Sequence, residues 1–157
     1  MAEIQQIIFS VGDGEYGMDV SHVIAIETLT KVVFVPNAAN HILGIVNLRG
    51  EALPIYSLRS KFGLPELPLD ENTKIIVTKS NNVTIAFKVD IVKEIVDCEP
   101  EMMSEFPDVA RGPQTAYVDK IVNKAGRLFL MLDQNKLVAK EESEAISQFI
   151  NDATAEK

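Results

Sequence analysis

The chain has 157 residues, is 46% hydrophobic and carries a formal net charge of −8. That length and apolar content suit one domain, or two small lobes, with a real core rather than a disordered chain. The charge disfavours nucleic acid and anionic membrane surfaces as partners, and no apolar run approaches the ~20 residues needed for direct membrane insertion.

In chain order, Ile7–Val11 reads as a strand, Gly12-Asp13-Gly14 as a turn and Tyr16–Val20 as a returning strand. An Asp-Gly pair between two apolar runs is a hairpin signal, because glycine takes positive φ without steric penalty. Further strands are expected at Lys31–Val35, Gly44–Leu48, Ala52–Ser57, Lys74–Thr78, Val83–Val89, Ile91–Val96, Ala116–Asn123 and Arg127–Leu132. They are short, rich in β-branched residues and separated by Gly, Pro and Asn, which points to a mostly β fold of small barrels or a sandwich. The run Glu94–Asp108 holds six acids and no base. It reads as a solvated acidic loop with Met102, Met103 and Phe106 tucked against the body. From about 135 to 152 there is no Gly or Pro, and Ala145, Ile146, Phe149 and Ile150 share one face at helical spacing. A C-terminal amphipathic helix is expected there.

The chain also repeats itself. Ile45-Val46-Asn47-Leu48-Arg49-Gly50 is echoed by Ile121-Val122-Asn123-Lys124-Ala125-Gly126, and an apolar strand follows each. Upstream, Tyr16-Gly17-Met18-Asp19-Val20 resembles Phe87-Lys88-Val89-Asp90-Ile91 in the same order. Two related β modules are expected, at about 5–66 and about 70–133, with Gly63–Pro68 as the linker between them.

Several chemical motifs fail on context. Gly12-Asp13-Gly14-Glu15-Tyr16-Gly17 matches G-x-G-x-x-G, but a dinucleotide site needs a helix after the glycines and an acid ~20 residues on. A strand follows instead, and no Asp or Glu lies between Glu27 and Glu51, so an NAD-binding enzyme is disfavoured. His22 and His41 lack metal-ligand spacing, and Cys98 stands alone between Asp97 and Glu99, which disfavour a thiolate. No disulfide framework is expected, and Met1–Gln6 shows no secretory leader. No catalytic, cofactor or metal site is expected, and the expected compartment is cytoplasmic.

What remains is a surface. Between 28 and 50 the only formal charges are Lys31 and Arg49, set among apolar residues that include Phe34, Ile45, Val46 and Leu48. An apolar, weakly basic patch on an acidic protein suits a protein partner. A barrel strand buries alternate side chains, so at least one of Ile45 and Val46 should face outward. Arg49 is expected at a hairpin tip, where a planar guanidinium can meet carboxylates or carbonyls.

The stretch Ile42-Leu43-Gly44-Ile45-Val46-Asn47-Leu48-Arg49-Gly50, running on to Pro54 and Ser57-Leu58-Arg59, resembles the signature of CheW-type chemotaxis coupling proteins. Supporting similarity lies at Phe9–Gly12, Tyr16–Val20, Val35–Asn37, Phe87–Asp90 and Leu130–Asp133, so the resemblance covers roughly 5–138. It implies two SH3-like β-barrel subdomains in a single CheW-like domain. It also implies a non-catalytic adaptor linking the cytoplasmic tip of chemoreceptors to the regulatory domain of the histidine kinase CheA, recruited to membrane receptor arrays. Receptor-facing residues carry over to Asn47, Leu48, Arg49 and Gly50, with Ile45 and Val46 beside them, while kinase-contact residues stay unassigned. Two positions depart from the family pattern: Ala25 stands where an acid often precedes Ile26 in a "V-x-E-I" helix, and Ser57 replaces the aspartate of "DLR". Either change is expected to weaken a partner contact, leaving open a CheW-like module of a non-chemotactic pathway.

Overall fold

Gly12 and Asp13 turn the first apolar run back on itself, as their sequence requires, and the same device recurs along the chain. A computed structural model of the protein describes residues 4–29, 31–35, 41–80, 82–107, 116–138 and 140–155. Among them the strands are β1 (Ile4–Val11), β2 (Gly14–Asp19), β3 (Val23–Thr28), β4 (Val33–Phe34), β5 (Ile42–Leu48) and β6 (Glu51–Ser57), then the helical turn α1 (Leu58–Lys61). The second half repeats that order: β7 (Lys74–Ser80), β8 (Val83–Val89), β9 (Ile91–Cys98), β10 (Met103–Glu105), β11 (Val118–Lys124), β12 (Arg127–Leu132) and the turn α2 (Gln134–Leu137). Helix α3 (Lys140–Ala155) closes the chain.

The fold is mostly β, in two six-stranded sheets ordered β10-β11-β12-β2-β1-β9 and β3-β7-β8-β6-β5-β4. Each sheet surrounds its own apolar interior. Ile8, Cys98, Val122, Phe129 and Met131 fill the first, while Leu29, Leu53, Ile55, Ile75, Val77 and Ala86 fill the second. This fits a pair of SH3-like barrels. A larger core lies between the sheets, where Ile7, Phe9 and Met18 of the first meet Tyr56, Ile76, Ile85 and Phe87 of the second.

Both echoed segments form strand-tip-strand hairpins, and each sheet draws strands from both halves of the chain. The opening hairpin of each half leaves its own half: β1–β2 joins the sheet of β9–β12, and β7–β8 joins the sheet of β3–β6. The joins are two short parallel pairings, Leu130 beside Tyr16 and Ile55 beside Ala86. The cause is local. Asp90 alone separates β8 from β9, and one residue cannot reverse a strand, since even the tightest hairpins need two. The chain must therefore run on into the neighbouring sheet. The single 3₁₀ turn Val20–His22 redirects β2 into β3 in the equivalent place.

Three other expectations change. The "V-x-E-I" segment is the edge strand β3 and not a helix; Val23, Ile26 and Thr28 are β-branched and pair with β7, with a register shift at Ile24. The acidic run holds the second half of β9 and the short strand β10, which pairs with β11. Met102 and Met103 do pack on the first interior and Phe106 on the central core, as expected. The expected helix over 135–152 is two elements, α2 and α3; Ile146 is buried, Ala145 is exposed, and the side chain of Phe149 lies outside the described residues. Tyr56 joins these elements to the body, its hydroxyl donating to Leu137 O at 3.4 Å and to Glu142 Oε2 at 3.2 Å.

One polar lock crosses the exchange. Arg59 Nε and Nη2 grip Asp90 at 2.9 and 2.7 Å, and Asp90 Oδ2 also accepts from the Gly12 amide at 2.8 Å. Arg59 Nη1 donates to Pro65 O at 2.9 Å, so the same guanidinium holds the linker. Lys88, nearly buried, pairs with Glu66 at 3.0 Å and reinforces it. Burial pushes the Asp90 carboxyl up, but the Arg59 bonds and the Gly12 N–H outweigh it and hold the group below its ordinary value.

Asp90→Ala should therefore cost about 2–3 kcal/mol, the loss of a buried pair discounted for the pair's partial exposure. Because the folded pKa of Asp90 is depressed, its contribution is complete above the unfolded value near 3.8 and disappears as pH falls through the folded value. Chemical denaturation from pH 7 to pH 2 should show wild type and Asp90→Asn converging at acid pH; a constant gap would refute the linkage.

Candidate partner-binding site

The expected site is the end of β5 and its turn into β6. Gly44 begins it: a Cβ there would strike the Val33 carbonyl, so only glycine lets β4 pair this closely with β5. Beyond it Val46 and Leu48 pack on the interior of the second sheet, while Ile45 is half-buried and Asn47 exposed. The turn is made by Arg49 at φ 53° and Gly50 at φ 85°, two consecutive left-handed residues of the kind that matches strand twist in a two-residue hairpin. Asn47 Oδ1 accepts the Gly50 amide at 3.1 Å and fixes the corner.

The Arg49 side chain is 76% exposed, and its Nη2 lies 3.0 Å from Glu27 Oε2 on β3. Glu27 also lines a groove of about 290 Å³, together with Thr28 of β3, Lys31, Val33 of β4, Ile45 to Leu48 of β5, and Ile75 of β7. β3 and β4 are the two outer strands of this sheet, so the sheet curls until both edges border one groove. Large apolar side chains stand exposed on these edges: Ile24 on β3, and Val33 and Phe34 on β4, with Phe34 at 73%. The first sheet repeats the feature with Ile91 and Ile95 on its edge strand β9.

The second repeat supplies an internal control. Its tip, Asn123-Lys124-Ala125-Gly126, has Ala125 at φ 55° and Gly126 at φ 81°, with Asn123 Oδ1 accepting the Gly126 amide at 3.2 Å. The same corner forms with alanine where the first repeat has arginine. The Arg49 guanidinium is therefore not required by the turn.

Of the six expected residues, Ile45 to Leu48 line the groove and Arg49 and Gly50 form the adjoining tip. Glu27, the ion-pair partner, was not among the expected residues; nothing in the spacing links positions 27 and 49 before the sheet curls. The two departures from the family pattern have internal roles. Ser57 is buried, caps α1 by accepting the Ser60 amide at 3.1 Å, and its hydroxyl donates to Glu66. Asp133 caps α2 at the equivalent point of the second repeat. Ala25 packs on the interior of the second sheet.

Gly12 lies in the turn after β1, Gly14 opens β2, and Gly17 sits inside β2 against Phe129 and Gln6. No helix follows them to face a pyrophosphate. His41 Nδ1 sits 2.7 Å from Ser60 Oγ, while His22 occupies the separate 3₁₀ turn. Cys98 is buried, and that burial pushes its thiol up. Among the described residues no group of three or more metal-ligating side chains converges.

A model of the CheW-like domain matches residues 5–142. The chemotaxis protein CheW of Bacillus subtilis (strain 168) is 28% identical over 141 residues, 90% of each chain. That of Klebsiella aerogenes is 32% identical over 136 residues, 87% of this chain and 82% of the relative. The crystal structure of the scaffolding protein TtCheW from Thermoanaerobacter tengcongensis superposes with a TM-score of 0.78 at 22% identity, covering 90% of this chain and 92% of that one.

Replacing Arg49 by alanine should leave stability within about 0.5 kcal/mol, since an exposed turn residue and a surface ion pair contribute little. Gly50→Ala should cost about 1 kcal/mol or more, because its φ is positive. Urea unfolding of both variants checks the pair of values; a large loss for Arg49→Ala would make the guanidinium structural.

Proposed function

Since the chain belongs to the CheW-like domain family, whose members are non-catalytic chemotaxis scaffolds, we propose that its partners are the cytoplasmic tip of a chemoreceptor and the regulatory domain of the histidine kinase CheA. The chain is an adaptor and performs no chemistry. Its contribution is coupling free energy: it holds receptor and kinase so that a change in one biases the other.

The observation that carries the receptor contact is the Arg49 tip. Asn47, Leu48, Arg49 and Gly50 form the contact, flanked by Ile45 and Val46. An exposed guanidinium on a rigid corner, which the fold can make with alanine, is available for a partner's carboxylates or carbonyls. The exposed apolar side chains of the edge strands, Ile24, Val33, Phe34, Ile91 and Ile95, support a kinase contact through barrel edges. Unpaired edges bearing large apolar groups are ready templates for another chain. The interface expected for such an exchangeable component is roughly 1,000–1,600 Å² in total.

No helix among the described residues is long and apolar enough to cross a membrane. The adaptor works in the cytoplasm and reaches the membrane by recruitment to receptor arrays.

Calorimetric titration tests both contacts. Arg49→Glu should weaken binding to a receptor cytoplasmic fragment at least tenfold while leaving CheA regulatory-domain binding unchanged. The kinase contact, resting on a few apolar anchors, should change little between low and high salt. Receptor binding unaffected by Arg49→Glu would reduce Arg49 to a solvated turn residue. Kinase binding that vanishes at high salt would place that contact on the acidic surface instead.

A further inference from the structure

We propose that residues 63–69 form a strap fastened across the seam between the two sheets, and that Glu66 fastens it by supplying the carboxylate that the buried Lys88 requires. Position 57, on the strand beside Lys88, is the alternative source of that carboxylate, and it carries serine.

The need for a carboxylate comes first. The Lys88 side chain is only 7% exposed on β8, and a charge so shielded is costly unless it is paired. The nearest acid in sequence, Asp90, is already gripped by Arg59 and the Gly12 amide. Among the described residues the ion-pair partner of Lys88 is Glu66, at 3.0 Å, and the same ammonium donates to Leu67 O at 3.4 Å. Ser57 pairs in register with Lys88, and its hydroxyl donates to the other oxygen of the same carboxylate. One linker carboxylate thus joins β6 of the first half to β8 of the second. The strap is seated on either side of it. Leu64 packs on the central core and Leu69 on the interior of the second sheet, while Leu67 is left 52% exposed.

The second half shows that position 57 can hold the carboxylate itself. Asp133 caps α2 with φ −96° and ψ 114°, against φ −86° and ψ 116° for Ser57 at α1. The same corner therefore accepts an aspartate. At position 57 an aspartate would stand beside Lys88 and beside Glu66, giving the cation a partner fixed to its own sheet. Its like charge would push Glu66 away, and the strap would lose its middle anchor. With serine at 57, pairing Lys88 and closing the strap are one event.

The experiment compares wild type, Glu66→Gln, Ser57→Asp and the double variant on the full chain, by urea unfolding and by NMR relaxation of the Leu67 amide. Glu66→Gln should lower the folding equilibrium constant about tenfold, the loss of a buried pair discounted for the partial exposure of Glu66. In the Ser57→Asp background the same change should cost less than about twofold, because Lys88 keeps a carboxylate. The Leu67 order parameter should be about 0.85 in wild type and below about 0.6 in all three variants. Stability regained by the double variant while Leu67 stays mobile is thus the expected result, and it separates fastening the strap from pairing the cation. An equal cost of Glu66→Gln in both backgrounds overturns the inference. So does a Leu67 that is mobile in wild type, or one that stays rigid once Glu66 is replaced. Should Glu66→Gln alone not fold, a folded double variant supports the inference and an unfolded one overturns it.

Discussion

Asp90 alone links β8 to β9, and a link that short cannot fold one strand back beside the other. The chain is thereby committed to crossing between sheets, and the rest of the architecture follows from that crossing. Each opening hairpin completes the sheet of the other half through a short parallel pairing, which is the weaker kind of pairing per residue. The central core then forms from strands of both halves, with Phe9 and Tyr56 among its largest buried side chains. Neither half can bury its apolar surface alone, so the two tips and the edges around them are held in one fixed relation. For a protein whose work is to position two others, that rigidity is the useful property.

The lock around Asp90 is placed where the crossing needs it. The carboxylate gathers the Gly12 turn of one hairpin, the Arg59 of α1 and, through Arg59, the linker carbonyl of Pro65. A charged network this shielded is a weak source of net stability, because desolvation offsets much of the attraction. Its effect is on geometry: removing one member leaves the others unsatisfied. A second cluster, in which Glu15 meets Lys93 and Arg127, ties β2, β9 and β12 at the far sheet. The hydrogen bond from Arg127 and then that from Lys93 hold the Glu15 carboxyl down to about 2.

Much of this was legible in the sequence, where the signal was local. Gly12-Asp13-Gly14 reads as a hairpin and is one. The echo of Ile45–Gly50 at Ile121–Gly126 reads as a duplicated strand and tip, and the two corners agree in backbone angles and in the Asn-to-Gly hydrogen bond. What was missed depends on long-range placement. Val23–Thr28 has strand composition, yet its role as an edge emerges only when β7 arrives beside it. The hairpin exchange turns on the shortness of one link, which apolar periodicity does not register. The burial of Ser57 and its capping of α1 are likewise invisible along the chain. Glu27 meets Arg49 only once two edges of a curled sheet share a groove.

We propose that this chain transmits receptor state to kinase without chemistry, through the Arg49 tip on one side and apolar barrel edges on the other. Reconstitution with purified chemoreceptor and CheA tests it most directly, by following kinase autophosphorylation with and without receptor ligand as the adaptor is titrated. Wild type should make the kinase rate depend on receptor ligand. Arg49→Glu, still bound to CheA, should leave the rate independent of receptor ligand. Full receptor control of the kinase by the Arg49→Glu adaptor, or equal control with no adaptor present, would contradict it.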